Sequence, residues 1–133
     1  YVTLWKGAAI AYHSTKSLRT ADSSAESELY ALHAATKKVL ALAKDLRHLN
    51  ILDETTPSLI FVDNKGTVSN VNSRYQYGRM RHIDAAFMLV HERVETGDIT
   101  LDHVAGTDNP ADFFTKALTK ITFLKHRRTI MGM

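Results

Sequence analysis

Hydrophobic positions along this chain follow two different periods, that of a strand and that of a helix. Residues 1–6 and 8–14 carry aromatic and β-branched side chains on either side of Gly7, which predicts a hairpin of two strands. Residues 58–62 form a continuous apolar run, which suits a strand buried on both faces of a parallel sheet. Residues 99–104 alternate between apolar and polar, as expected of a half-exposed strand.

The helical period occupies the stretches between and after these strands. The predicted helices cover residues 23–50, a short segment through Val68 and Val71, residues 83–94, and a last segment that opens at Asn109. Because the first is long for a small domain, we expect it to bend or to divide into two consecutive helices. Elements in this order predict an α/β fold in a single domain spanning residues 1–133.

The last predicted helix has a well-defined start. Asn109 is placed to cap it, and Pro110 occupies its first position. Its apolar stripe consists of Phe113, Ala117, Ile121 and Leu124. Asp112 lies off this stripe, at the third helical position, where capping and the helix dipole favour an acid. The pattern alone therefore favours a structural role for Asp112.

The first helix carries a carboxylate where its pattern calls for an apolar residue. Its apolar stripe runs through Leu32, Ala35, Val39, Ala43 and Leu46. Glu28 falls on this stripe, one turn before Leu32, and a buried carboxylate is costly unless it is paired or holds a metal. Glu26 falls on the opposite side and forms a capping box with Ser23. Glu28 is therefore the functional candidate of the two.

A second candidate carboxylate follows the apolar strand 58–62. Asp63 and Asn64 come directly after this strand, and functional groups of open α/β sheets gather at the carboxyl ends of strands. The alternative is that Asp63 only caps the next helix, a task that Asn64 could also perform.

Charge is unevenly distributed along the chain. The formal net charge is +3, and residues 1–63 balance seven basic against seven acidic side chains. Residues 113–133 contain no acid and five basic side chains, namely Lys116, Lys120, Lys125, Arg127 and Arg128. A local charge of +5 suggests a polyanion such as nucleic acid, although a solvated helix face explains it equally well.

Residues 73–82 interleave arginines with aromatic side chains. The segment contains Arg74, Tyr75, Tyr77, Arg79 and Arg81. Arginines bind phosphates and tyrosines stack on bases, so the composition suits nucleic-acid binding. A surface loop without a partner is an equal alternative.

Composition excludes several classes of protein. The chain has no cysteine, which rules out disulfides and cysteine zinc sites and fits a reducing compartment. Its histidines lack paired metal-ligand spacing. No apolar run approaches the roughly 20 residues that span a bilayer, and the N-terminus lacks a signal-peptide pattern. We therefore expect an intracellular protein, not secreted, with no membrane partner.

Four motifs together resemble the ribonuclease H domain at the end of copia-type retrotransposon polyproteins. Residues 23–28 (Ser-Ser-Ala-Glu-Ser-Glu) resemble the family's Ser-Ser-Thr-Glu-Ala-Glu segment. Residues 61–64 (Phe-Val-Asp-Asn) resemble its Val-Asp-Asn strand end, and residues 81–84 (Arg-His-Ile-Asp) its Lys-His-Ile-Asp helix start. Residues 111–116 (Ala-Asp-Phe-Phe-Thr-Lys) are similar to its closing Ala-Asp-Ile-Phe-Thr-Lys. The motifs occur in the family's order and cover residues 1–124.

The resemblance implies a fold and an activity. The fold would be a ribonuclease H-like mixed central sheet flanked by helices. A four-carboxylate site would bind two Mg²⁺ ions, with Mn²⁺ as a substitute, and cut the RNA strand of an RNA–DNA hybrid during reverse transcription. Carried over by position, Glu28, Asp63 and Asp112 would be the metal ligands, since hard cations take oxygen ligands. The partner would be the reverse transcriptase portion of the same polyprotein, in a cytoplasmic virus-like particle or the nucleus.

The chain departs from the family in two places. The family's first catalytic aspartate sits on a central strand upstream of the hairpin, and Tyr1 already matches the second strand. Without that strand, two half-sheets would expose unpaired backbone groups. We therefore expect an N-terminally truncated domain, or a strand donated by an upstream segment or another protomer. In the loop before Asp112, Thr107 follows Gly106 where relatives have a histidine. His103 lies nearby and is an accessory candidate, although the alternation of its strand indicates only a side chain pointing to one sheet face. Asn64 is a second accessory candidate.

Three functions are compatible with these features. The first is the metal-dependent endonuclease. The second is a non-catalytic module of ribonuclease H-like fold that binds nucleic acid or stabilises a larger reverse transcriptase, which the absent aspartate favours. The third, a transposase or integrase, expects a glutamate after two aspartates, whereas Glu28 comes first here.

Overall fold

The computed structural model describes residues 1–15, 24–73 and 84–133. Within them the chain is a mixed α/β protein, as the sequence predicts. In chain order the elements are β1 (Val2–Trp5), β2 (Ala8–Tyr12), α1 (Ser24–His48), β3 (Ser58–Val62), α2 (Lys65–Asn72), α3 (Asp84–Glu95), β4 (Ile99–His103), two 3-10 helices (Gly106–Asp108 and Pro110–Phe114) and α4 (Lys120–Met131). None of the helices in these stretches combines the length and apolar character needed to cross a membrane.

Strands β1 and β2 form the predicted hairpin. They pair antiparallel, with Trp5 opposite Ala8 across a two-residue turn. Lys6 and Gly7 both have positive φ, at 49° and 85°. Positive φ at both central residues is what a type I′ turn requires, and this turn matches the natural twist of paired strands.

The described strands form two separate two-stranded sheets. Strands β1 and β2 make one, and β3 pairs in parallel with β4 to make the other, with Ser58 opposite Ile99. The single central mixed sheet of the sequence prediction is therefore not found among the described residues. Among the described residues the strands therefore form two half-sheets.

The core lies on one face of the β3–β4 pair. Its buried members come from five elements and are Leu32, Val62, Val71, Val90 and Ile99. Leu59 and Phe61 alternate with the core-facing residues of β3 and remain 54% and 56% exposed. The prediction that β3 is buried on both faces is therefore wrong, because the helices cover only one of them.

Helix α1 is one continuous helix and not two. Leu29, Leu32, Thr36 and Ala43 are its buried residues, so its inward face follows the helical period as predicted. Glu28 precedes the buried Leu29 and is itself partly buried. The capping box of Ser23 with Glu26 lies outside the described residues, because Ser23 is not among them.

The single helix predicted from Asn109 to Leu124 is wrong. The chain forms the short 3-10 helix Pro110–Phe114, breaks, and restarts as α4 with Thr119 as its cap, whose hydroxyl accepts a hydrogen bond from the Thr122 amide at 3.3 Å. Ile121 is consequently 83% exposed and not part of an apolar stripe. Phe113 and Phe123 stack at 4.9 Å between ring centres and hold the two helices together.

Candidate functional site

Asp63 stands at the carboxyl end of β3 without a capping task. Asn64 caps α2 instead, because its side-chain oxygen accepts a hydrogen bond from the Thr67 amide at 3.1 Å. The Asp63 carboxylate accepts a hydrogen bond from the side-chain amide of Asn109 at 3.2 Å. The alternative that Asp63 only caps the next helix is therefore wrong.

Glu28 faces this strand end from α1. The pKa of its carboxyl group is raised, first by burial and then by the negative charge of Asp63. Lys116 and a hydrogen bond with Asn64 oppose this rise, whereas Asp112 adds to it. Glu28 therefore shares one electrostatic neighbourhood with Asp63 and Asp112, although the three lie far apart in sequence.

Asp112 reaches the same neighbourhood from the 3-10 helix. Asn109 caps this helix by accepting a hydrogen bond from the Ala111 amide at 3.1 Å, and Pro110 follows it, as the sequence predicts. The Asp112 side chain is only 13% exposed, and one of its oxygens accepts a hydrogen bond from Lys116 Nζ at 2.9 Å. The pKa of Lys116 is raised by Asp112 first, with smaller contributions from Asp63 and Glu28.

The donor set has the chemistry that Mg²⁺ prefers. Carboxylate oxygens are the hard ligands of this ion, and they repel one another when no cation lies between them. Among residues 1–15, 24–73 and 84–133, however, no three acidic or histidine side chains are grouped as a ready-made metal site. The side-chain types fit divalent cations, whereas Asp112 is paired with Lys116.

Two of the five basic residues of the C-terminal segment are paired with acids. Lys116 contacts Asp112, and Lys125 donates a hydrogen bond to Asp108. Lys120, Arg127 and Arg128 are exposed on α4. The free positive charge of this segment is thus lower than its sequence predicts, because both acids lie just before it in the chain.

The remaining predicted residues are placed in part. His103 is half-buried at the end of β4, where it is the register partner of Val62. Its catalytic role stays a prediction. The predicted nucleic-acid contacts Arg74, Tyr75, Arg79 and Arg81 lie outside the described residues.

Sequence reasoning missed two contacts of the site. Asn109 was predicted only as a cap but also donates to Asp63. Lys116 was predicted only as a nucleic-acid contact, but it forms an ion pair with Asp112. The spacing of four residues between Asp112 and Lys116 is a signal that could have found the second contact.

Fold and site together define an α/β protein with acidic side chains gathered at the carboxyl end of a parallel strand pair. Comparison with known proteins adds a closer likeness. The chain is 26% identical over 121 residues to the retrovirus-related Pol polyprotein from transposon RE2 of Arabidopsis thaliana, covering 91% of the chain and 8% of the relative. It is 23% identical over 123 residues to the Pol polyprotein from transposon TNT 1-94 of Nicotiana tabacum, covering 92% and 9%.

A third relative extends the same pattern. The chain is 27% identical over 114 residues to the Pol polyprotein from transposon RE1 of Arabidopsis thaliana, covering 86% of the chain and 8% of the relative. The chain thus spans less than a tenth of the length of these curated relatives. The predicted resemblance to retrotransposon Pol polyproteins is confirmed, while the narrower ribonuclease H assignment remains a prediction. No family model and no solved structure matches the chain.

Proposed function

We propose that this chain is a ribonuclease H-type domain of a retrotransposon Pol polyprotein, a metal-dependent endonuclease that cuts the RNA strand of RNA–DNA hybrids. One observation carries the proposal. Glu28, Asp63 and Asp112 come from three distant segments, yet Asn109, which caps the 3-10 helix that carries Asp112, donates a hydrogen bond to Asp63 at 3.2 Å, and the charges of both aspartates act on Glu28. Residues with perturbed pKa values cluster at functional sites, and neighbouring carboxylates repel one another unless a cation lies between them. The likeness to Pol polyproteins supports the same function.

The carboxylates would bind the cations, and the basic residues of α4 would bind the substrate. Glu28, Asp63 and Asp112 would hold two Mg²⁺ ions, which supply activation of a water and stabilisation of the leaving 3′-oxygen. Asn109 orients the Asp63 carboxylate through its hydrogen bond. Asn64 fixes the start of α2 and also contacts Glu28, so it holds two elements of the site in register. The exposed cations of α4 would contact phosphates of the hybrid.

A hybrid-cleavage assay tests the proposal. The substrate is an end-labelled RNA strand annealed to DNA, incubated with Mg²⁺, and an RNA–RNA duplex serves as the substrate control. Glu28→Gln and Asp63→Asn should each slow cleavage by at least about 100-fold while leaving hybrid binding in place, because a metal ligand contributes several kcal/mol to the transition state. Asp45→Asn, an exposed carboxylate elsewhere on α1, is the matched control and should cut at the normal rate.

A second function is favoured by the two separate half-sheets. Strand β3 pairs with β4 alone among the described residues, and two of its own apolar residues, Leu59 and Phe61, are exposed. The alternative is a non-catalytic module that binds nucleic acid or the reverse transcriptase portion of the polyprotein, and that becomes complete when a strand is added to β3. An upstream segment or another protomer would donate this strand.

The same assay separates the two functions. It is run on this chain alone and on the chain joined to the reverse transcriptase portion of its polyprotein. Cleavage that appears only in the joined protein, and that Asp63→Asn abolishes, supports an enzyme completed by its neighbour. If the joined protein cuts nothing, or if both carboxylate substitutions leave the rate unchanged, the enzyme proposal fails and the non-catalytic module remains.

A further inference from the structure

Lys116 is an exposed side chain at the border of the carboxylate site. Its Nζ is 2.9 Å from a carboxylate oxygen of Asp112. The acid is nearly buried, with 13% of its side chain exposed, whereas the lysine side chain is 58% exposed. The contact therefore joins a fixed carboxylate to a cation that has room to leave.

The charge of Lys116 reaches the whole site. All three carboxylates raise the pKa of its ammonium group, and Lys116 in turn lowers the pKa of Glu28. An ordinary surface ion pair between neighbours on one helix would involve Asp112 alone. Lys116 instead acts as a counter-cation for side chains from α1, from the end of β3 and from the 3-10 helix.

We propose that Lys116 is a built-in competitor of the divalent cation, whose ammonium group must leave Asp112 before that carboxylate joins Glu28 and Asp63 as a ligand. This inference rests on the proposed function, because it assumes that the cluster binds cations. A lysine suits this task because its flexible stem lets a compact charge swing into solvent.

If Lys116 competes with the divalent cation, its removal should raise the cation affinity of the site. Removing a positively charged side chain beside the site should tighten cation binding, by about fivefold at low salt, since a unit charge and a divalent ion then no longer repel each other. The gain should shrink as salt screens the charges. A lysine that only stabilised the fold would give no gain in affinity when removed.

Calorimetric titration with Mn²⁺ and with Mg²⁺ tests the inference without measuring cleavage. Lys116→Met removes the charge but keeps the length of the side chain, and should bind about fivefold more tightly than the unmodified protein. Lys116→Arg keeps the charge and should restore the original affinity. Lys44→Met is the matched control, because Lys44 is exposed on α1 about 24 Å along the helix from Glu28 and should bind as the unmodified protein does.

Thermal unfolding gives a second measurement on the same variants. Without divalent cations Lys116→Met should unfold at a lower temperature than the unmodified protein, because the carboxylates lose their counter-charge. Saturating Mn²⁺ should then raise its unfolding temperature by more than it raises that of the unmodified protein. Both shifts should be absent in Lys44→Met.

The outcomes distinguish this inference from the proposed function. If the unmodified protein binds Mn²⁺ and Glu28→Gln weakens that binding, but Lys116→Met binds equally or less tightly, the competitor role is overturned and the cation site stands. If no variant binds either ion and Glu28→Gln changes nothing, both are overturned. Tighter binding by Lys116→Met alone, reversed in Lys116→Arg, supports both.

Discussion

Replacing Glu28 with glutamine should make the protein more stable at neutral pH in the absence of divalent cations. The folded protein raises the pKa of Glu28, chiefly by burial and by the charge of Asp63. A carboxyl group whose pKa is higher in the folded state opposes folding once it is ionised. Its cost is absent below its ordinary pKa of 4.5 and grows as the pH rises through the higher folded value. Glutamine carries no charge and removes this cost.

The size of the gain follows from the surroundings of Glu28. The group is only partly buried, so solvent screens much of its repulsion with Asp63. Two like charges in such a setting cost about 0.5–1 kcal/mol, since the effective dielectric lies between that of a protein surface and water. Lys116 lowers the cost further, because its positive charge acts on Glu28 in the direction opposite to that of Asp63. We therefore expect Glu28→Gln to raise the free energy of unfolding by about 0.5 kcal/mol at pH 7.

Urea denaturation at pH 7 and pH 4 in buffer containing a chelator measures this gain. The difference between Glu28→Gln and the unmodified protein should be present at pH 7 and largely lost at pH 4, where most of the carboxyl groups are protonated in both states. Glu92→Gln, an exposed position on α3, controls for the loss of one negative charge. A loss of stability at pH 7, or a gain that persists at pH 4, would refute the idea that Glu28 is held in place against electrostatic repulsion.

Two further predictions concern the core and the C-terminal segment. Ile99→Ala should lower the free energy of unfolding by about 2–5 kcal/mol in urea denaturation, because Ile99 is fully buried between β3 and the helices, and a loss below 1 kcal/mol would place it outside the core. Arg127→Ala with Arg128→Ala should flatten the salt dependence of hybrid binding by up to about two in slope, whereas Lys125→Ala should change it less because Lys125 is paired with Asp108. Equal slopes in all variants would show that α4 does not contact phosphate.

The sequence predicted the local chemistry of the site better than the layout of its sheets. Asn109 and Asn64 act as caps because each carries a side-chain oxygen one position before a helix, which is a local signal. Asp63 was placed at a strand end by an equally local signal, the abrupt end of an apolar run. These positions need no knowledge of distant contacts.

Two of the errors concern contacts between distant segments, and the error at the start of α4 is local. Leu59 and Phe61 have the pattern of a doubly buried strand, but burial depends on which elements cover the sheet, and the helices cover one face. The break before α4 coincides with the Thr119 cap, which starts a new helix although the apolar stripe of the sequence is continuous across it. The pairing of Lys125 with Asp108 joins residues on two different elements, and a charge count along the sequence cannot register it.

The parallel pairing of β3 with β4 has a consequence for synthesis on the ribosome. Ser58 cannot pair until its partner Ile99, 41 positions later in the chain, has been synthesised. Trp5 and Ala8, which pair in the hairpin, are nearly adjacent in sequence. At roughly 5–20 residues per second, β3 emerges several seconds before β4. During that interval its apolar run is an unpaired strand, the kind of segment that associates with other nascent chains. Slower translation across this stretch would lengthen the exposure and lower the yield of folded protein.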